Sequence, residues 1–303
     1  MLKEATIYRV AGLPSLHEFL AASLAAETFA PTGRTQQKST GWEPPRAAHG
    51  AMVESIDGHW IARFTTEVRT VPADALQEKT DALMRNIEQR DGRKVGKRER
   101  RALKDEALQE LLPQAFPRQS SIPVWIDPRA GLLVIGTASQ AKADAIVTSL
   151  LRATHTPQPV WAKPVEAHLQ ISQIKTRTDP TPAMAEWLLD GEDLPTAFTL
   201  GRECELHGSG DGAPVLRLNR YDLDSDKVRD HVRQGLHPTR LGLAWAGVVS
   251  FVLTDSLTLR RIEVAEVKPW DQAPDQDAFD ADVALTTGSL APMLADLLAA
   301  LAF

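Results

Sequence analysis

Positive charge is concentrated in one stretch of the sequence, residues 85–106, which holds nine lysine and arginine side chains. They are Arg85, Arg90, Arg93, Lys94, Lys97, Arg98, Arg100, Arg101 and Lys104. A cluster of this kind binds the phosphate backbone of nucleic acid and adds affinity without reading bases. The stretch has no aromatic side chain on which single-stranded bases could stack. It therefore predicts binding to duplex DNA with little sequence preference, although a charged helix that serves only solubility is the alternative interpretation.

A second group of residues has the composition of a metal-dependent nuclease site. Asp255 is followed by Glu266 and Lys268, and an acid on one strand with an E-x-K pair on the next is typical of such enzymes. Two carboxylates would hold magnesium while the lysine supports the attacking water. These residue types at such loose spacing are more typical of a charged edge strand. We therefore keep a nuclease only as the alternative to a protein without enzymatic activity.

Other signatures of catalysis or cofactor binding do not occur in the sequence. The single cysteine, Cys204, lies between Glu203 and Glu205, which would raise its pKa and weaken it as a nucleophile. The glycines of residues 207–214 join two strand-like runs, whereas a phosphate loop needs a following helix. The eight histidines are scattered, without the i, i+4 spacing of a helical metal site. We expect no metal, no cofactor and no catalytic residue.

The basic stretch is positioned by two predicted helices. Residues 72–90 and 97–113 have helical spacing of leucines, and Gly92 and Gly96 interrupt them, so an antiparallel helical hairpin is predicted with the cations at its tip. We assign residues 71–120 to this projecting hairpin. Residues 1–70 and 121–165 are predicted to form an N-terminal and central α+β region, and residues 166–303 a C-terminal α+β region. Strands and helices come in clusters without regular alternation, so the predicted class is α+β with antiparallel sheets.

The length, hydrophobic content and net charge of the chain are consistent with a folded protein that has a basic surface. The chain has 303 residues, 43% of them hydrophobic, and a net charge of -6. From residue 263 onward there are eight acids against Lys268 alone. Binding responds to the local field of one face, so the acidic total does not exclude a polyanion partner. A protein-interaction module that uses this acidic C-terminal region is a further alternative. Without a long unbroken apolar run or a signal peptide, we expect a cytoplasmic protein with no membrane partner.

One segment, LKDEALQELLPQAFPR at residues 103–118, resembles the family of the bacterial recombination-associated protein RdgC. Further similar segments follow in order over nearly the whole chain, among them FAPTG, GWEPP, LRLNRYDL, LGLAWAGVVSFVLTDSLTLRRIEV and FDADVALTTGSLAPMLADLLAAL. The resemblance implies a non-enzymatic protein that forms a ring-shaped homodimer around duplex DNA. It also implies little sequence preference, a place in the nucleoid, and restraint of RecA-dependent recombination.

The resemblance also assigns individual residues. Phe116 matches a phenylalanine at the dimer contact that closes the ring, and a core aromatic is the alternative interpretation. Arg93 and Arg118 match basic positions of the family and are the first candidates for phosphate contacts. The remaining cations of the basic stretch, Lys94, Lys97, Arg98, Arg100 and Arg101, would face the opening of the ring and contact the DNA there. Arg217 and Arg220 lie in a matching basic strand region, where surface solubility is the alternative to DNA contact. Gln114 and Pro117 depart from the family pattern, which leaves the contacts of residues 113–118 open.

Overall fold

The chain folds as an α+β protein, as predicted. A computed structural model describes residues 2–13, 17–46, 50–155, 169–191, 194–210, 212–265 and 275–301. Its helices are α1 (His17–Ala25), α2 (Ala73–Asp91), α3 (Lys97–Leu111), α4 (Gln140–His155), α5 (Pro180–Leu189), α6 (Asp226–Arg233) and α7 (Asp275–Ala300). The strands of the first half are β1 (Ala5–Ala11), β2 (Lys38–Glu43), β3 (Val53–Ile56), β4 (His59–Arg69), β5 (Pro117–Asp127) and β6 (Leu132–Ile135). Those of the second half are β7 (Gln170–Gln173), β8 (Phe198–His207), β9 (Val215–Asn219), β10 (His237–Trp245), β11 (Val249–Thr254) and β12 (Thr258–Val264).

The twelve strands of the described residues belong to one sheet, with the order β2-β4-β5-β6-β1-β12-β11-β10-β8-β9, while β3 pairs with β4 and β7 with β1. Every strand pair is antiparallel, which confirms the predicted strand direction. The two halves of the chain join where Ala5 and Thr6 of β1 pair with Leu259 and Thr258 of β12. The strands therefore form one continuous surface that carries side chains from both ends of the sequence.

The register fixes which side chains share a face of this surface. Directly paired residues of antiparallel strands lie on the same face, and alternate residues of one strand do too. Tyr8 pairs with Leu133, and Thr6 pairs with Thr258. The face that carries Tyr8 in the first half of the sheet therefore carries Thr258 and Arg260 in the second half.

Helices cover opposite faces in the two halves. In the first half, Leu20 of α1 and Ile146 of α4 pack on the face of Tyr8. In the second half, Met184 of α5 and Leu297 of α7 pack in a core with Leu253, on the other face. Burial of apolar area on both sides drives this arrangement. It leaves the face of Arg260 outside both cores.

The helical hairpin is confirmed, and it starts and ends at neighbouring strand ends. The pairing of β4 with β5 extends to Arg69 and Pro117, so the intervening chain leaves and returns at one end of this ribbon. α2 ends at Gly92, whose φ of 64° suits glycine because it has no Cβ. α2 and α3 pack against each other, and within Ala73–Asp91 Thr80 is the one buried residue. The exposure of α2 fits a projecting element; the division into three regions stays a prediction.

Helix α7 is long and apolar enough to cross a membrane by length and composition over Ala278–Ala300. Its Val283, Leu290 and Leu294 are buried in the core of the second half, however. A buried core helix meets the same criteria, so this feature is weak evidence for a membrane segment. The expectation of no membrane partner stays a prediction.

Candidate nucleic-acid interface

The nine cations of residues 85–106 are all exposed. Two of them are held by acids at the tip itself. Arg93 donates two hydrogen bonds of 2.7 Å to the carboxylate of Glu99, and Arg90 donates one of 2.8 Å to Asp91. The hydrogen bonds from Arg93 keep the pKa of Glu99 below its ordinary value. Arg93 was predicted as a phosphate contact, and its charge is largely offset by Glu99.

The other predicted tip cations form no ion pair with any residue in the described ranges; they are Lys94, Lys97, Arg98, Arg100 and Arg101. Lys97, Arg100, Arg101 and Lys104 follow the i, i+3, i+4, i+7 spacing that places residues on one side of a helix. α3 thus presents, from its first residue, a row of cations that pair with no acid in the part of the chain that the structure describes. Such a row can lie along a phosphate backbone.

Arg118 and Phe116 lie at the base of the hairpin, and both are exposed. Phe116 is 89% exposed, so the interpretation as a core aromatic does not fit the chain as described. β6 pairs with β5 only from Val124 to Asp127. Among the described strands, residues 117–121 of β5 therefore pair with β4 alone, and they are exposed. An exposed aromatic beside an open strand edge is a place where a partner could bind.

A second group of cations lies on the face of Arg260. Arg217 of β9 pairs with Glu205, which pairs with Arg240, so these three side chains share the face. A cavity of about 260 Å³ there is lined by Arg217, Arg240, Arg260 and Arg261 together with Glu4, Glu203 and Glu205. We call this surface the arginine face. Arg202 and Arg220 line the adjoining cavity of about 360 Å³.

Buried Glu205 organises the arginine face. Its carboxylate accepts hydrogen bonds of 2.8 Å from Arg217 Nε and 2.8 Å from His207 Nε2, and Arg240 lies 3.5 Å away. The hydrogen bond from Arg217 is the main reason why the pKa of Glu205 is lowered. Arg261 forms an ion pair with Glu203. The acids thus fix the guanidinium groups in place while they offset part of the charge.

Arg217 and Arg220 were predicted from the sequence, whereas Arg202, Arg240, Arg260 and Arg261 were not. These four are scattered singly or in one pair along strand-like runs, so no local cluster marks them. Only the pairing register of β8 to β12 brings them together. A search for arginines at alternate positions of successive strands could have found Arg240 and Arg260.

The described residues show no arrangement of side chains that supports the nuclease alternative. Asp255 lies in the exposed turn between β11 and β12, and Glu266 and Lys268 lie outside the described residues. Among the residues that the structure describes, no group of three or more His, Cys, Asp and Glu side chains could hold a metal ion. Cys204 is buried, and burial raises the pKa of its thiol to about 12, so it is a poor nucleophile. Burial is the larger cause, and only Glu205 of the two predicted acids contributes.

Comparison with known proteins gives the family. The family model with the description "RdgC: Putative exonuclease, RdgC" matches residues 1–303. The chain belongs to the RdgC family. A protein of Janthinobacterium sp. (strain Marseille) named "Recombination-associated protein RdgC" is 35% identical, with 94% of this chain and 91% of the relative covered. Relatives of the same name from Ralstonia nicotianae and Cupriavidus pinatubonensis are 34% and 35% identical, and the alignments cover 90% and 95% of this chain and 86% and 93% of the relatives.

The resemblance seen in the sequence is therefore confirmed. The curated relatives are named for an association with recombination, and their names indicate no enzymatic activity. The family description includes the word exonuclease, which makes a cleavage assay part of any functional test.

Proposed function

We propose that this protein binds double-stranded DNA without sequence preference, encircles it as a homodimeric ring and restrains RecA-dependent recombination. It has no enzymatic activity in this proposal, and it acts in the cytoplasm on the nucleoid. One observation carries the proposal: a chain of net charge -6 gathers exposed cations on the hairpin tip and on the arginine face. A surface of this kind attracts the phosphate backbone whatever the base sequence.

The mechanism is electrostatic first. Each phosphate that a cation neutralises releases a condensed counterion, so the affinity depends steeply on salt. With about six phosphates engaged, the logarithm of the binding constant should fall with the logarithm of salt concentration at a slope of about -5. Binding without base contacts leaves the protein free to move along the duplex.

Closure of the protein ring around the duplex adds a topological barrier to dissociation. Phe116 lies exposed next to the open edge of β5. An aromatic side chain in that position can anchor an interface with the same surface of a second copy. A closed collar then slows dissociation without any new DNA contact. Restraint of RecA follows in this proposal from occupancy of the duplex that strand exchange would use.

Removal of the tip charge tests the DNA contact. The variant Lys97→Ala, Arg100→Ala, Arg101→Ala should weaken duplex binding about 10³-fold at low salt and reduce the salt slope by about 3, because each lost phosphate contact removes close to one unit of slope. A matched control removes Lys227, Arg229 and Arg233 from α6, which packs through Val228 in the core on the face of the sheet opposite Arg260. Equal losses in the two variants, measured by fluorescence anisotropy of a labelled duplex, would contradict a role for the tip.

The same preparations test the rival functions. A labelled duplex incubated with magnesium should stay intact, and cleavage that disappears in Glu266→Ala would replace the proposal with a nuclease. A protein-interaction module would show no salt-dependent binding at all. In a strand-exchange reaction driven by RecA, the protein should lower the yield, and the tip variant should not.

A further inference from the structure

The position of Phe116 depends mainly on its backbone. With 89% of the residue exposed, its side chain has little packing of its own. The preceding Ala115 caps a short 3₁₀ turn, with its N–H bonded to the carbonyl of Leu112 at 3.1 Å, and the following Pro117 starts β5. Whatever fixes the backbone between Ala115 and Pro117 therefore sets the direction of the Cα–Cβ bond from which the aromatic ring of Phe116 projects.

Arg69 holds that peptide. Its guanidinium donates a hydrogen bond of 2.7 Å to the carbonyl oxygen of Ala115, and its Nε donates one of 2.9 Å to the hydroxyl of Thr32. Its own backbone N–H bonds to the carbonyl of Gln37 at 2.9 Å. One arginine thus joins the loop before β2 to the residue next to Phe116.

A buried acid completes the arrangement. Glu67 accepts hydrogen bonds from the hydroxyl and the backbone N–H of Thr32, the latter at 2.7 Å. Both Thr32 and Glu67 are buried, and these hydrogen bonds keep the pKa of the Glu67 carboxyl below its ordinary value. The FAPTG segment, residues 29–33, contains Thr32. The contact between Thr32 and Glu67 gives this segment a structural role, which could not be inferred from the sequence alone.

We propose that Arg69, held by Thr32 and Glu67, is the positioning residue that directs Phe116 toward the partner subunit. The inference rests on the proposed role of Phe116 in ring closure. The planar guanidinium reaches two acceptors at once in a fixed geometry, which a lysine ammonium cannot reproduce. The buried carboxylate of Glu67 fixes Thr32. Thr32 in turn holds the Arg69 side chain against the protein, so that it does not turn into solvent.

A double-mutant cycle measures the coupling. Arg69→Gln should shorten the lifetime of the DNA complex about threefold and Phe116→Ala about tenfold, as expected for a support and for an interface anchor. In the double variant the lifetime should equal that of Phe116→Ala alone, because Arg69 acts only through the aromatic side chain of Phe116. Losses that multiply instead would show that Arg69 acts elsewhere. Arg229→Gln on α6 is the matched control, since Arg229 also contacts two partners, Asp224 and Asp226.

A second measurement does not depend on DNA or on a dimer. Cys204 is buried and its pKa is raised to about 12, so a nitroxide reagent should label Phe116→Cys selectively. The nitroxide should become more mobile with Arg69→Gln and with Thr32→Val, and it should not with Thr32→Ser, which keeps the hydroxyl. Thermal unfolding of each variant shows whether it is folded. If Arg69→Gln does not fold, the milder variant Arg69→Lys replaces it in this measurement.

The two measurements separate the two claims. If Phe116→Ala leaves the lifetime of the DNA complex unchanged, ring closure through Phe116 is wrong, and nitroxide mobility still tests the positioning. If the nitroxide moves no more freely in Arg69→Gln than in the parent, the positioning role is wrong whatever the DNA complex does.

Discussion

At the residue scale, Glu205 shows how a buried acid can support a basic surface. Its carboxylate fixes Arg217 and His207 and lies near Arg240. Hydrogen bonds to a charged group are stronger than those between neutral groups, so the loss of this charge weakens the hydrogen bonds from Arg217 and His207 and removes the ion pair with Arg240. The arginine face should therefore depend on the ionised state of one side chain beneath it.

The pKa of Glu205 gives a prediction for stability. The pKa is lower in the folded protein than its ordinary value of 4.5, so the carboxylate contributes stability that is present above that value and lost as pH falls through the folded pKa. We expect the free energy of unfolding, measured by urea titration, to fall as pH is lowered below about 4.5. In Glu205→Gln this fall should be smaller, and an unchanged pH dependence would contradict the assignment.

Single residues also show where sequence reasoning stopped. Exposure of the tip cations followed from composition alone. The pair of Arg93 with Glu99 did not, because it forms only when the turn between Gly92 and Gly96 brings residues six apart into contact. The contact of Arg69 with Ala115 spans 46 residues and depends on the β4–β5 register. No local pattern carries such information.

At the element scale, local sequence patterns were sufficient to predict the helices of the hairpin, but they did not predict which strands pair. Helical spacing and glycine breaks predicted α2 and α3, which the structure contains. The position of β1 between β6 and β12 could not be predicted, because these partners lie more than 120 and 250 residues away in the chain. The shared face of Arg118 and Arg217 follows from that order and register.

The close approach of β8 and β10 gives a prediction at this scale. A Cβ added to Gly201 would lie 2.8 Å from the backbone carbon of Gly242, at an irregularity in the pairing of the two strands. Gly201→Ala should cost about 1–3 kcal/mol of the free energy of unfolding, as overpacking does where backbone must move. Gly191→Ala is the control, because a Cβ there meets nothing within 4 Å. Equal stability of the two variants in denaturant titrations would show that β8 and β10 adjust freely.

At the scale of the whole molecule, the proposal joins two cationic surfaces into one binding surface. The hairpin tip and the arginine face lie far apart in the sequence. The arginine face is part of the sheet, and the hairpin of α2 and α3 is joined to the same sheet at the end of its β4–β5 ribbon. The sequence predicted the tip and the family, whereas the second surface needed the strand order. A two-subunit particle should have twice the chain mass of 33.2 kDa in solution, and a mass of one chain would exclude a ring.

Encirclement makes a prediction that electrostatic binding alone does not. A closed collar is trapped on a covalently closed circle of DNA, and it slides off the ends of the same DNA once it is cut. The most direct measurement is the lifetime of the complex on the circle and on the cut form at moderate salt, with excess competitor duplex present. The proposal predicts a long lifetime on the circle and a short one on the linear DNA, with the difference lost in Phe116→Ala. Equal lifetimes of the unmodified protein on the two forms would contradict it.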